Sequence, residues 1–434
     1  MTNVFTFKAL LQNTGWKTNC TVVIDEYGRI KDVAENAAIK GEIIDGYAIP
    51  GFQNAHSHAF QYAMAGMAEM HENAEDSDDF WGWRESMYQL ALTITPQDLY
   101  EIGVKLYSEM MRNGYTSVAE FHYVHHQPDG SPYPNLAEMG EALLRASNDT
   151  GIKITLVPIF YQKGGFGKAP NDRQRRFISN TVEDYKSLLD ATIQCAEKYP
   201  LANVGIGIHS MRGVEPTDII RVANEFPQNL PFHIHVSEQL KEIEDSIAYL
   251  SKRPVQWMLD NIDMNNRFHL VHATHLTETE TEGIAQCGAN VVLCPSTEGN
   301  LGDGIFPLIA FQKLGGKWSI GTDSHVGLNP LEELRILDYG QRLISHKRNI
   351  MIGNGFNDSG LYAINQATLA GRKAMNNFTS TYFEVGQDFD ACVIDANHPT
   401  IRSLDFNHLA SRIVYTADSS MMKGVFVRGV EKQN

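Results

Sequence analysis

The sequence has no apolar run of about 18 residues, so nothing in it reads as a membrane-spanning helix. It lacks an opening stretch of basic and then apolar residues, so no secretory leader is expected and the cytoplasm is the default compartment. Cysteines are few: Cys20, Cys195, Cys287, Cys294 and Cys392 are scattered, odd in number and without any CxxC spacing. That argues against a disulfide framework and against a cysteine-rich zinc site. Positive charge is also short, with 36 Lys and Arg against 52 Asp and Glu and a net charge of −16. Such an excess disfavours nucleic acid and anionic membrane as partners. An anionic small substrate is still allowed, because it needs only a local basic pocket. Internal repeats and low-complexity tracts are absent as well.

The 434 residues, 43% hydrophobic and 20% charged, suit a soluble globular chain with a large core. Residues 4–11 and 20–25 are β-prone, and Tyr27-Gly28-Arg29 reads as a hairpin turn. From residue 49 the pattern changes. Short β-rich runs at 49–55, 117–123, 153–160, 203–210, 231–237, 268–273, 290–296 and 317–323 alternate with longer helical stretches. The helical candidates are 96–113, 135–150, 179–199, 216–226, 238–250, 277–287 and 307–314. Several start with Thr or Ser near Pro or Glu, and several stop at Gly114, Gly151, Gly288 or Gly315. Eight strands alternating with helices suggest an α/β fold, a (β/α)8 TIM-like barrel. A doubly wound open sheet is the structural alternative, since periodicity does not report closure. Residues 324–376 add helices, and 381–395 and 411–430 are β-rich again. The simplest partner of that last segment is the β-rich beginning of the chain. The expected division is 1–48 and 379–434 as one small discontinuous β-sandwich domain, and 49–378 as a metal-dependent barrel. The insertion at 59–95, with an acidic stretch at 72–79 followed by Phe80-Trp81-Gly82-Trp83-Arg84, is long enough to carry function.

Barrel chemistry sits at the C-terminal ends of the strands. The first run ends in His56-Ser57-His58. Residues i and i+2 of a strand share a face, so both imidazoles can aim at one point. The second run ends at Glu120-Phe121-His122-Tyr123, and the fourth at His209, with Arg212 close behind. The fifth contains His233-Ile234-His235-Val236-Ser237-Glu238, the sixth ends at His272, and the eighth at Asp323. One histidine in a core strand is ordinarily structural; this many strand ends bearing His, Glu or Asp point to a metal-centred hydrolytic site. Three histidines and a carboxylate leave a Zn²⁺-type ion an open position for water. His56, His58, one of His233 or His235, and Asp323 supply that set. Spacing does not choose between His233 and His235. A binuclear centre of this type usually needs a bridging group, often a carboxylated lysine on the fourth strand. Residues 204–210 contain no Lys, so one divalent metal ion is expected, with Zn²⁺ favoured over Fe²⁺ or Mn²⁺. Glu238 and His272 are left over as proton carriers.

These residues resemble the amidohydrolase superfamily in its mononuclear deaminase branch, across nearly the whole chain. The resemblance implies that His56, His58, His235 and Asp323 bind the metal, because His235 stands three residues before Glu238. It makes Glu238 the proton shuttle and His272 the polarising histidine. Finer stretches are similar to the formimidoylglutamate deiminase family. They are His56-Ser57-His58-Ala59-Phe60-Gln61, Phe80-Trp81-Gly82-Trp83-Arg84-Glu85, Glu120-Phe121-His122-Tyr123, His209-Ser210-Met211-Arg212, His272-Ala273-Thr274-His275 and the run from Cys294 to Gly304. That similarity implies that Gln61 contacts a formimino group and that Arg84, Tyr123, His209 and Arg212 hold two substrate carboxylates. Guanidinium suits this task, since it grips carboxylate through a planar fork. The implied activity is hydrolysis of N-formimino-L-glutamate to N-formyl-L-glutamate and ammonia in histidine degradation, with catalysis by Glu238, His272 and Asp323. Relatives suggest a homodimer. The alternatives are a deaminase of guanine- or S-adenosylhomocysteine-like substrates, a non-catalytic metal-binding protein, and a binuclear amide-ring hydrolase.

Overall fold

A computed structural model describes residues 3–36, 41–67, 69, 80–353, 355–402 and 405–432. The acidic stretch at 72–79 lies outside the described residues. Two sheets organise the molecule. The first has seven strands, in the order Val430–Lys432, Met422–Val427, Ala391–Asp395, Glu42–Pro50, Asn3–Gln12, Gly15–Ile24 and Ile30–Glu35. Only the pairing of Asn3–Gln12 with Glu42–Pro50 is parallel. Both chain ends therefore build one small β unit, as expected. Its buried side is aromatic: Phe5, Phe7, Phe389 and Phe426 pack ring against ring. The turn at Tyr27-Gly28-Arg29 joins two antiparallel strands, with Gly28 at φ +83°.

The second sheet is the barrel. Its strands are Phe52–Ser57, Tyr115–His122, Lys153–Phe160, a fourth in two pieces (Ala202–Val204 and Ile206–Ser210), Phe232–Val236, Phe268–His272, Asn290–Leu293 and Lys317–Ile320. All pair in parallel with their neighbours. The last strand returns to the first: Thr322 and Asp323 donate backbone hydrogen bonds to the His56 carbonyl at 3.1 and 3.0 Å. Asn54 fastens the same seam, since its side chain binds Thr322 Oγ1 at 2.7 Å and accepts from Thr322 N at 3.0 Å. Gly321 is required at this junction, because a Cβ there would lie 2.8–3.0 Å from His56 atoms.

Helix starts follow the sequence signals. Thr95 with Asp98, Thr181 with Asp184 and Thr277 with Glu280 each form a reciprocal capping box. Gly151 and Gly288 end their helices in left-handed backbone. One segment differs from the expectation. The chain at 411–416, read as β-rich, ends a helix, Phe406–Thr416, capped by Asp405. Its apolar residues Leu409, Ala410, Ile413 and Val414 recur at helical spacing and are buried. The helix Phe80–Thr93, on the long insertion, covers the top of the barrel and brings Trp83 and Arg84 over the cavity there. Among the described residues no helix is long and apolar enough to cross a membrane.

Candidate metal centre and active site

The first strand delivers His56 at its end and His58 just beyond it, where the chain turns into the short helix Ala59–Met64. Glu120 braces this turn. Its carboxylate accepts from Ala59 N at 2.5 Å, Ser57 Oγ at 2.7 Å and the Tyr107 hydroxyl at 3.1 Å. Burial pushes the Glu120 carboxyl up to about 7, against the pull of those bonds. Glu120 and His122 therefore point away from the cavity, although they stand at a strand end. On the alternate face, Tyr123 lines the cavity and Phe121 packs on the ligand rings, 4.9 Å from that of His56 and 4.4 Å from that of His235.

Four donors converge below the cavity. His56 Nε2 lies 3.0 Å from both His58 Nε2 and His235 Nε2. Asp323 Oδ1 is 3.3 Å from His56 Nε2 and 3.1 Å from His58 Nε2. The outer nitrogens decide what this cluster can hold. His58 Nδ1 faces the Phe121 carbonyl and His235 Nδ1 the His209 carbonyl, each at 2.9 Å. A carbonyl only accepts, so both Nδ1 atoms carry the proton, and a neutral ring then presents its Nε2 lone pair inward. Burial above all holds His56 down at about 3, so this ring is neutral. Lone pairs and a carboxylate packed this closely repel one another unless a cation sits among them. The set fits a divalent metal with three nitrogens and one oxygen. Burial disfavours the charge on Asp323, but the imidazoles of His56 and His58 beside it keep its carboxyl well below the usual range.

His233 shares a face with His235 but lies two residues nearer the strand start. It stacks on His269 of the adjacent strand with ring centroids 4.8 Å apart, and it is not among the four converging donors.

His272 faces the metal ligands across the cavity floor. Its Nε2 is 3.7 Å from Glu238 Oε1 and 3.8 Å from Asp323 Oδ2, and its Nδ1 is 3.3 Å from Glu298 Oε1. Burial opposes a charge on this ring, but Glu238, the Glu298 hydrogen bond and Asp323 together raise it to about 10. Three of the residues that shape this rim, His272, Asp323 and Ser237, adopt left-handed backbone at φ +67°, +49° and +53°. For residues other than glycine this costs on the order of 1–3 kcal/mol each and is held by surrounding structure.

The expected substrate-binding residues line the same cavity as His58, His235, Glu238, His272 and Asp323: they are Gln61, Arg84, Tyr123, His209 and Arg212. Gln61 Nε2 donates to the Tyr123 hydroxyl at 2.9 Å. The His209 ring packs on Tyr161 at 4.2 Å, and Arg84 sits over Tyr88 at 5.6 Å. Arg212 makes ion pairs with Glu238 at 3.3 Å and Glu242 at 3.2 Å. Sequence reasoning missed Glu242 and Glu298 as partners of site residues. Glu298 lay within the quoted run from Cys294 to Gly304; Glu242 carried no signal beyond standing one helical turn after Glu238.

A family model described as "Amidohydrolase family" matches residues 47–432. A formimidoylglutamate deiminase of Pseudomonas aeruginosa is 40% identical, over 99% of this chain and 94% of that protein. A 5-methylthioadenosine/S-adenosylhomocysteine deaminase of Teredinibacter turnerae is 26% identical, over 92% of this chain and 81% of that protein. A crystal structure described as an amidohydrolase from Brucella melitensis superposes with a TM-score of 0.92 at 37% identity, covering 99% of this chain and 94% of that one. The match along the chain, the barrel and the converging His-His-His-Asp donors agree: the chain belongs to the amidohydrolase family.

Proposed function

We propose that the protein hydrolyses N-formimino-L-glutamate to N-formyl-L-glutamate and ammonia, as a carbon–nitrogen hydrolase of linear amidines in histidine degradation. The observation that carries this reading is the pair Arg84 and Arg212 on the wall of the cavity that also holds the metal ligands. Two guanidinium groups suit a dicarboxylate, whereas a heterocycle is better served by aromatic stacking. The 40% identity to the Pseudomonas aeruginosa deiminase supports the same substrate.

In this reading His56, His58, His235 and Asp323 hold one divalent ion, Zn²⁺ by preference for their three nitrogens and one oxygen. Bound there, such an ion supplies a water whose pKa is lowered to about 7. Arg84, Arg212, Tyr123 and His209 seat the two carboxylates, and Gln61 turns the formimino group toward the floor. His272 and Asp323 orient the attacking water. Glu238, 3.7 Å from His272, carries the proton from water to the departing nitrogen. One water enters, the C–N bond to the terminal nitrogen breaks, and ammonia leaves.

The same reading includes a cytoplasmic homodimer. Free Cys20, Cys195, Cys287, Cys294 and Cys392 suit a reducing compartment. Exposed Ile336, Tyr339 and Leu343 on the helix Pro330–Ser345 offer an apolar stripe for a second copy, which light scattering would detect. Domain limits of 1–48, 49–378 and 379–434 belong to this reading too. The function is tested by ammonia release from metal-replete protein given N-formimino-L-glutamate, guanine or S-adenosylhomocysteine. Release from the first alone is expected; release only from a heterocycle would overturn the proposal.

A further inference from the structure

Arg212 follows the fourth strand and reaches toward the fifth, and its side chain is 11% exposed. Two carboxylates share it. Nη2 lies 3.3 Å from Glu238 Oε2, and Nη1 lies 3.2 Å from Glu242 Oε2. These partners are not equivalent. Glu238 lines the cavity with the metal ligands and stands next to His272. Glu242 is fully buried in the first turn of the helix Leu240–Leu250. Its Oε2 also accepts the backbone hydrogen bond of Glu238 N at 3.0 Å, which ties it to the loop that carries Glu238. Glu242 is thus fixed by the fold, whereas the Glu238 side chain faces the cavity, where it meets Arg212 and His272.

We propose that Glu242 is the permanent partner of Arg212 and Glu238 the exchangeable one, so that an incoming substrate carboxylate replaces Glu238 on the guanidinium while Glu242 keeps that guanidinium in place. The inference rests on the dicarboxylate reading above. A guanidinium has five donors in a fixed fork, enough to serve one carboxylate on each edge. With Glu242 neutralised, Arg212 and Glu238 form a closed pair that the substrate must break. With Glu242 charged, substrate binding exchanges one anion for another and releases Glu238 toward His272. Glu242 is therefore a positioning residue, and it links recognition of the anion to freedom of the proton carrier.

The test compares metal-loaded wild type and E242Q on N-formimino-L-glutamate and on its two mono-amides. On the dicarboxylate, kcat/KM should fall about 10- to 100-fold in E242Q. On the amide that no longer engages Arg212, the fall should be under about 3-fold. In an R212M background E242Q should add nothing further. E242D keeps the charge and should show the same substrate pattern with a smaller fall, which provides the comparison if E242Q does not fold. An equal fall on all three substrates would mark Glu242 as merely structural and overturn the proposal, as would no fall at all. Wild-type inactivity on the dicarboxylate refutes the substrate reading and this inference together; wild-type activity with an insensitive E242Q refutes this inference alone.

Discussion

Glu120→Ala should loosen the metal site without touching a ligand. The carboxylate binds Ser57, between the two ligands of the first strand, and Ala59, directly after them, while Tyr107 holds it from behind. Truncation removes three buried hydrogen bonds, worth about 1 kcal/mol each, and leaves Ala59 N, Ser57 Oγ and Tyr107 OH without this acceptor. A loss of about 3–6 kcal/mol of stability follows when the desolvation of those groups is included. The turn that aims His58 also loses its brace, and support groups of this kind typically change metal affinity by about 10–100-fold. Glu120→Gln should be milder. Its amide oxygen can still accept from Ala59 N, and the two hydroxyls can rotate to accept from its NH2 group. Chelator competition measures the metal affinity, and melts with and without added metal separate the two effects. Glu120→Ala with unchanged metal affinity would refute the bracing role, whatever its stability.

Three further predictions follow from the same geometry. Metal-replete protein should carry one equivalent of divalent metal and His56→Ala only a small fraction of that; elemental analysis finding two equivalents in the wild type would overturn the mononuclear site. Glu238→Gln should retain metal while kcat falls about 10²–10⁴-fold; a near-native kcat would remove it from proton transfer. Glu333, buried against Ser296, is pushed up to about 8 by burial, against the Ser296 hydrogen bonds. Its folded value lies above its ordinary 4.5, so its contribution to stability is full below about 4.5 and is lost as pH rises through about 8. The stability difference between wild type and Glu333→Gln should therefore fall with rising pH, by at most about 1.4 kcal/mol per pH unit, in denaturation series from pH 5 to 8.5. A flat difference would show that Glu333 does not titrate there.

Much of this protein is legible along the chain because the signals are local. Strand period places His56 and His58 on one face, capping boxes at Thr95, Thr181 and Thr277 open their helices, and eight alternating units specify the barrel. The helix at Phe406–Thr416 was also local, written in Leu409, Ala410, Ile413 and Val414, but its β-branched residues masked the period. Other features are set only when distant strands meet. His233 and His235 share a face, and only the register against neighbouring strands puts His235 among the donors and His233 beside His269. Glu120 looks like a site residue by position, yet the pleat turns it outward to Ser57, Ala59 and Tyr107. The partners of Arg212 and His272 come from beyond other strands: Glu238 and Glu242 follow the fifth, and Glu298 sits on the short helix after the seventh. Residue type and spacing determine which groups can take part in the chemistry. Their pairing, protonation and direction depend on distances across a closed barrel, and those are fixed only when the last strand hydrogen-bonds to the first at His56.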